Sequence, residues 1–230
     1  MRLYYCLLLF CVSINFSWAQ DSLSVAIDDK YREDQFYASI TYNLLSNNPS
    51  GVSQSDFSTG FHFGFIRDMP INEKRNWAIG IGLGISSNSY NQNLVITGTS
   101  GNANFSIGDA ALGNISKNKF TTYLIDVPFE FRWRTSDAKT YKFWRIYPGF
   151  KLSYLIYNSS KLKSDFLNAN VSNIDAFNKL QYGLTLSAGY GTWNFQVYYG
   201  LNTIFDDIAQ LGGQSIDTRA IKVGIMFYIL

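Results

Sequence analysis

The chain has 230 residues, one His, two Cys and nearly balanced charge, 19 Lys and Arg against 17 Asp and Glu; 17% of it is aromatic, led by 18 Phe and 16 Tyr. Such a balance argues against nucleic acid as a partner, which needs a basic face, and a single His excludes a multi-histidine metal centre. The length suits one domain.

At the N-terminus, Met1-Arg2 supplies a positive start, Leu3 to Phe16 is almost wholly apolar, and Ser17-Trp18-Ala19 forms a small-x-small site before Gln20. This predicts a secretory signal peptide over residues 1–19 rather than a membrane helix. A lipoprotein signal does not fit, because Cys6 follows Tyr5 and Cys11 follows Phe10. Both cysteines fall in this segment, so the rest of the chain has none for disulfides. Residues 20–34 read as a periplasmic tail, with Asp28-Asp29-Lys30-Tyr31-Arg32-Glu33-Asp34 as a solvated stretch. No later run approaches the ~20 apolar residues of a membrane helix. If this chain meets a membrane, it does so with strands.

From residue 35 to 230 the sequence alternates with period 2, and successive side chains of a strand point to opposite faces. The first strand sets Phe36, Ala38, Ile40 and Tyr42 against Tyr37, Ser39, Thr41 and Asn43. The second sets Phe57, Phe61, Phe63 and Phe65 against Ser58, Gly60, His62 and Gly64. The third sets Trp77, Ile79, Ile81, Leu83 and Ile85 against Ala78, Gly80, Gly82, Gly84 and Ser86. The fourth sets Tyr123, Ile125, Val127, Phe129, Phe131 and Trp133 against Asp126, Glu130 and Arg132. The fifth sets Trp144, Ile146, Phe150, Leu152 and Tyr154 against Arg145, Tyr147, Lys151 and Ser153. The sixth sets Leu180, Tyr182, Leu184 and Leu186 against Gln181, Gly183, Thr185 and Ser187. The seventh sets Trp193, Phe195, Val197 and Tyr199 against Asn194, Gln196 and Tyr198. The eighth sets Ile221, Val223, Ile225, Phe227 and Ile229 against Lys222, Gly224 and Tyr228.

An even set of strands, each near the ~9–11 residues that cross a bilayer when tilted, predicts an all-β fold: an eight-stranded antiparallel transmembrane β-barrel with up-and-down meander topology. Closure follows, because an open edge in lipid strands unpaired backbone groups. A soluble lipocalin-like barrel would share the alternation, but two patterns favour the membrane. Long connections (46–55, 90–118, 158–177, 204–217) alternate with short ones (67–76, 135–140, 191–192), as outer loops alternate with periplasmic turns. Trp77, Trp133, Trp144 and Trp193 all fall on the apolar face beside a short connection, which predicts one aromatic girdle. Tyr42, Phe57 and Tyr123 suit the opposite girdle. Pro128 and Pro148 interrupt the fourth and fifth strands, and a bulge or local break is expected there.

The last residues, Lys222-Val223-Gly224-Ile225-Met226-Phe227-Tyr228-Ile229-Leu230, are similar to the β-signal read by the outer-membrane barrel assembly machinery, with Lys222, Gly224, Phe227 and Ile229 in its four specified places. The segments Tyr123-Leu124-Ile125-Asp126-Val127-Pro128-Phe129 and Tyr147-Pro148-Gly149-Phe150-Lys151-Leu152 resemble the fourth and fifth strands of the PorT-like porin-family barrels of Bacteroidota. The departure is one extra residue between the Tyr-Leu and acidic positions, Ile125 preceding Asp126. The resemblance implies an eight-stranded barrel in the cell outer membrane of a Gram-negative organism. Some members resemble components of type IX secretion and gliding.

Signs of chemistry are few. His62 falls on the luminal face with Ser58 near it, but no Gly-x-Ser-x-Gly or His-Glu-x-x-His motif is present. No catalytic, cofactor or metal residue is assigned. The luminal charges say more: Asp126, Glu130 and Arg132 are expected to face Arg145 and Lys151, with Lys222 entering from the eighth strand. In a lumen only wide enough for side chains these charges must pair, which predicts an ion-pair plug, with Gly80, Gly82, Gly84, Gly183 and Gly224 making room. Connections 90–118 and 158–177, rich in Asn, Ser and Gly, read as mobile outer loops where a secretion-system or surface partner would dock, with Leu94-Val95-Ile96 as a short strand above the membrane.

Together these features predict a non-enzymatic structural or accessory outer-membrane barrel. Its expected partners are membrane lipid and the assembly machinery, with no nucleic acid and no cofactor. The alternatives are a small-solute channel and an outer-membrane enzyme using His62.

Overall fold

The computed structural model describes residues 33–135 and 143–229. The predicted signal peptide, residues 20–32 of the predicted tail and Leu230 lie outside them. In chain order the strands are β1 (Gln35–Ser46), β2 (Thr59–Pro70), β3 (Trp77–Asn91), β4 (Leu94–Gly98), β5 (Ala103–Ile107), β6 (Ile115–Arg134), β7 (Trp144–Ser164), β8 (Asn168–Ser172), β9 (Leu180–Tyr190), β10 (Trp193–Gly200), β11 (Gln210–Leu211), β12 (Gln214–Ser215) and β13 (Arg219–Ile229).

Eight of these, β1, β2, β3, β6, β7, β9, β10 and β13, form a closed antiparallel barrel in which β13 returns to pair with β1. The other five belong to the long connections: β4 pairs with β5, β11 with β12, and β8 lies beside the distal part of β7.

The predicted faces hold, with polarity inverted relative to a water-soluble protein. Asn43, Asp68, Asp126, Arg132 and Lys222 are buried inside, while Phe61, Leu83, Phe195 and Trp193 stand more than half exposed outside. A continuous apolar wall of this kind is far larger than the few hundred Å² patches that soluble monomers tolerate, and hydrocarbon is the medium that suits it. Closure satisfies every ladder without an edge, which the same medium demands. Among the described residues no helix is long and apolar enough to cross a membrane.

The strands are unequal. β6 and β7 have 20 and 21 residues, about twice the ~9–11 that cross a bilayer. From Trp133 back to Tyr123 the outward face of β6 carries aromatic and aliphatic residues only. The rest of β6, and its partner on β7, therefore extend beyond the apolar band at the long-connection end.

Three expectations need correction. The second strand does not stop before Arg67 but runs to Pro70, which places Asp68 inside the barrel. Of the bulge or local break expected at the two prolines, only the local break is present, and neither proline produces a bulge. Pro128 interrupts the β3–β6 ladder opposite Gly82–Leu83, and Pro148 interrupts β6–β7 opposite Phe131–Arg132, with the register the same on both sides of each gap. Each ring removes one N–H and leaves the face assignment intact. The register shifts of β6–β7 lie elsewhere: at Ile115/Lys117, where β6 inserts Ser116, and at Tyr123/Leu124, where β7 inserts Ile156 and turns both Ile156 and Tyr157 outward.

The third correction concerns the long connections, which form a packed cap rather than loose loops. Leu94 and Ile96 of β4, Val171 of β8, and Ile174, Phe177, Ile204, Phe205 and Ile216 are buried together with Tyr90, Phe120 and Leu124 from the barrel mouth. Phe120, Phe177 and Phe205 meet with ring centroids 4.7–5.5 Å apart. Buried Asn side chains hold the backbone: Asn158 bonds Ile174 at both N–H and C=O, and Asn178 donates to Thr203 and Phe205. Truncating such a ring costs about 3–5 kcal/mol. Phe177→Ala should therefore open the cap, read as faster protease cleavage of the long connections while the heat-dependent gel shift of the barrel persists.

Candidate functional site

Inside the barrel, polar side chains sort into two layers. At the short-turn end, Arg132 and Arg134 project inward two residues apart on β6. Asp68 of β2 takes both carboxylate oxygens to Arg134 at 2.8 Å, and its Oδ1 also accepts from Arg132 at 3.0 Å. Arg132 Nε donates to Glu130 at 2.9 Å. Glu33 lies 3.7 Å from Arg134, and its carbonyl accepts from Arg132 at 3.3 Å. β3 separates Asp68 from Glu130, and the position between them in the register is Gly80. A Cβ there would come within 2.7 Å of Arg132 Nε, so glycine lets the guanidinium bridge two strands that are not neighbours. The remaining faces of Arg132 lie over the rings of Tyr147 and Tyr228 at 4.9 and 5.8 Å.

Glu33 and Asp34 are thus part of the barrel base rather than of a solvated tail: Glu33 is buried, and Asp34 accepts from the backbone N–H of Asp68. Asp68, Arg134 and Glu33 were missed as site residues. Arg134 was legible as the next inward position after Arg132. Asp68 was hidden by the misplaced strand end.

The second layer sits nearer the middle. Asp126 accepts from Ser153 Oγ at 2.6 Å, from Lys151 at 3.4 Å, and lies 3.8 Å from His62 Nδ1. Lys151 and Lys222 both lie against the ring of Tyr198, at 4.9 and 4.8 Å. The expectation that every luminal charge finds an opposite charge is only partly met. Among the described residues Lys222 and Arg145 have no carboxylate within ion-pair distance, and Arg145 instead lies over Phe143 and Tyr228. The glycines also divide differently from expectation. Gly80 makes room for a charge, whereas Gly84 lies under the hydroxyl of Tyr37, Gly183 under the ring of Tyr198, and Gly82 against Ile66 and Pro128.

His62 Nε2 is 3.2 Å from the hydroxyl of Thr41, which donates its proton to Asn43 at 2.8 Å. Ser58 is not its partner; that hydroxyl accepts from Asn91 N and Gln54. The space beside His62, Lys151, Glu130 and Tyr147 is a cavity of ≈ 20 Å³, about one water.

On the outside, the four tryptophans lie in one band at the short-turn end. Trp77 packs against Trp133 and Phe131, Trp144 against Tyr190, and Trp193 against Phe227. At the other end Tyr42 stacks on Phe57, and Tyr123 meets Tyr157 at a tilt. In the terminal strand Lys222 points inward, and Phe227 and Ile229 point outward beside Ala38 and Phe36 of β1. Gly224 presses against the Ile40 carbonyl of β1.

Residues 18–206 match the family model described as "Outer membrane protein beta-barrel domain". Among solved structures the chain is similar to Ail, the attachment invasion locus protein of Yersinia pestis, at 13% identity over 86% of this chain and 97% of that one, with a TM-score of 0.41. A mutant of Rh. blastica porin follows at 9% identity, covering 86% and 100%, with a TM-score of 0.22. No curated protein matches the chain.

Proposed function

This chain belongs to the outer membrane protein beta-barrel domain family, and from that premise we propose that it is a non-conducting, non-enzymatic barrel serving as a structural or accessory component of the outer membrane. The observation that carries this reading is obstruction at three successive levels of the lumen: the Asp68–Arg134–Arg132–Glu130 network at one end, the Asp126–Lys151–Tyr198–Lys222 layer in the middle, and the apolar cap of the long connections at the other. A channel needs a continuous polar path, and rings such as Phe120, Phe177 and Phe205 across one mouth oppose it.

The long connections then face outward and the Trp band lies at the periplasmic side, by the rule of long outer loops and short inner turns. The PorT-like pattern at Tyr123–Phe129 and Tyr147–Leu152 supports a role alongside type IX protein secretion. In this reading the outward surface of the cap meets the secretion or surface partner, and the C-terminal Lys222, Gly224, Phe227 and Ile229 meet the assembly machinery.

Purified protein in a planar bilayer tests the reading. The expected result is no stepwise ion conductance at any applied voltage. Reproducible steps would favour the small-solute channel. The enzyme alternative rests on His62 near Thr41 and Asp126, all buried beside a cavity that admits one water. His62→Ala should leave the folded barrel and its cellular role intact; a variant that folds yet loses that role would restore the alternative.

A further inference from the structure

The distal halves of β6 and β7 carry a feature that costs stability as it stands. Lys117 is paired across the ladder with Lys163, and Lys119 with Lys161. Like charges placed directly opposite on one face of an antiparallel pair repel. All four lie on the outward face, Lys117, Lys161 and Lys163 exposed and Lys119 half-buried, and none has an ion-pair partner among the described residues. The strands on either side add no compensation: β3 places Asn91 opposite Lys119, and β8 places Asn170 opposite Lys161 and Asn168 opposite Lys163. The nearest carboxylate in sequence, Asp165, turns to the backbone N–H of Asn114.

The height of the cluster is set by the aromatic pair Tyr123–Tyr157 just below it, at the edge of the apolar wall. Lys119 and Lys161 each stand four residues above that pair, roughly 10 Å along a tilted strand, and the headgroup layer begins at the aromatic rim and is roughly 5–7 Å deep. Lysine side chains bend toward such a layer over their own apolar stems. Leaning down over their stems, Lys119 and Lys161 reach the headgroup layer, and Lys117 and Lys163, two residues further out, stand at its outer edge, so the four positive charges form one patch flanked by the amides of Asn91, Asn168 and Asn170.

We propose that Lys117, Lys119, Lys161 and Lys163 form a binding site for the phosphate of an anionic lipid headgroup in the leaflet next to the long connections. Phosphate placed among the four ammonium groups removes their mutual repulsion, and the flanking Asn amides supply further donors. An outer wall that grips headgroups at one sector orients the barrel in the membrane and leaves the lumen uninvolved. The site rests on the membrane-crossing fold and is independent of whether the lumen conducts.

The test compares the full-length protein in bilayers of phosphatidylcholine alone and of phosphatidylcholine with phosphatidic acid in equal parts, reading the temperature of the heat-induced gel-mobility shift. The wild type should shift upward by several degrees with phosphatidic acid. The fourfold Lys→Gln variant should lose most of that rise, and in phosphatidylcholine alone it should be no less stable than wild type, since repulsion is gone. The fourfold Lys→Arg variant should keep the rise. Detergent extracts of the wild type should carry severalfold more phosphatidic acid than those of the Gln variant. A Gln variant that keeps the full rise and the bound lipid overturns the site. So does an equal rise when inorganic phosphate is added to phosphatidylcholine bilayers, which would show ion screening without a headgroup.

Discussion

Arg132→Met should lower barrel stability by about 3–5 kcal/mol, the usual cost of removing one partner from a buried ion pair. The reason is what the change leaves behind. Arg132 is fully buried and is the only cation within ion-pair distance of Glu130 among the described residues. Without it Glu130 is a buried carboxylate with no cation within ion-pair distance among the described residues, left with the Tyr228 hydroxyl at 3.4 Å. Asp68 fares better, because Arg134 still holds both its oxygens. The readout is the denaturant midpoint of the folded, fast-migrating form in detergent. The double variant Arg132→Met with Glu130→Met should recover part of the loss, because it removes the stranded charge along with its partner. Stability unchanged in Arg132→Met would mean that water or lipid headgroups already screen this layer, and the plug reading would fail.

Gly224→Val should abolish the closed barrel. A side chain at Gly224 meets the carbonyl of Ile40 and the Cα of Thr41, which are backbone atoms of β1 at the seam where the first and last strands join. Overpacking against side chains that can shift costs about 1–3 kcal/mol. Here the neighbour is held by ladders on both sides, to β13 and to β2, so the cost exceeds that range. The same glycine occupies a place in the assembly signal, and two experiments separate the roles. Refolding from urea into detergent needs no assembly machinery, so Gly224→Val should fail there on steric grounds alone. Phe227→Ser and Ile229→Ser should refold in detergent yet assemble poorly in cells. Refolding of Gly224→Val with a normal heat-dependent shift would assign the glycine to signal recognition only.

How much of this was legible before folding depends on how far each signal reaches along the chain. Faces were legible because a strand's period of two is local: Phe61 and His62 take opposite sides whatever the rest of the molecule does. The tryptophan band followed from the same parity plus proximity to a short turn. Within the luminal network, the Asp126–Lys151 contact needed only the adjacency of two consecutive barrel strands. The bridge from Arg132 to Asp68 needed more, since β3 stands between them and only the register reveals that Gly80 fills the gap. Strand ends were the weakest point. β2 continues past Arg67 through Asp68 to Pro70 because an inward aspartate is stable opposite two guanidiniums, and no local propensity announces that.

The alternation in the sequence thus determined an all-β chain with an apolar outer face and a polar inner one, and with loop length segregated by end. Those are consequences of side-chain direction and hydrophobicity acting over a few residues. Only the tertiary structure decided which polar groups share the lumen, where the prolines are absorbed without a bulge, and that the long connections bury Phe120, Phe177 and Phe205 in a cap. It also set Lys117 and Lys119 opposite Lys163 and Lys161. Each of these depends on register between segments distant in sequence, which closure of the whole sheet fixes at once and no single strand can specify.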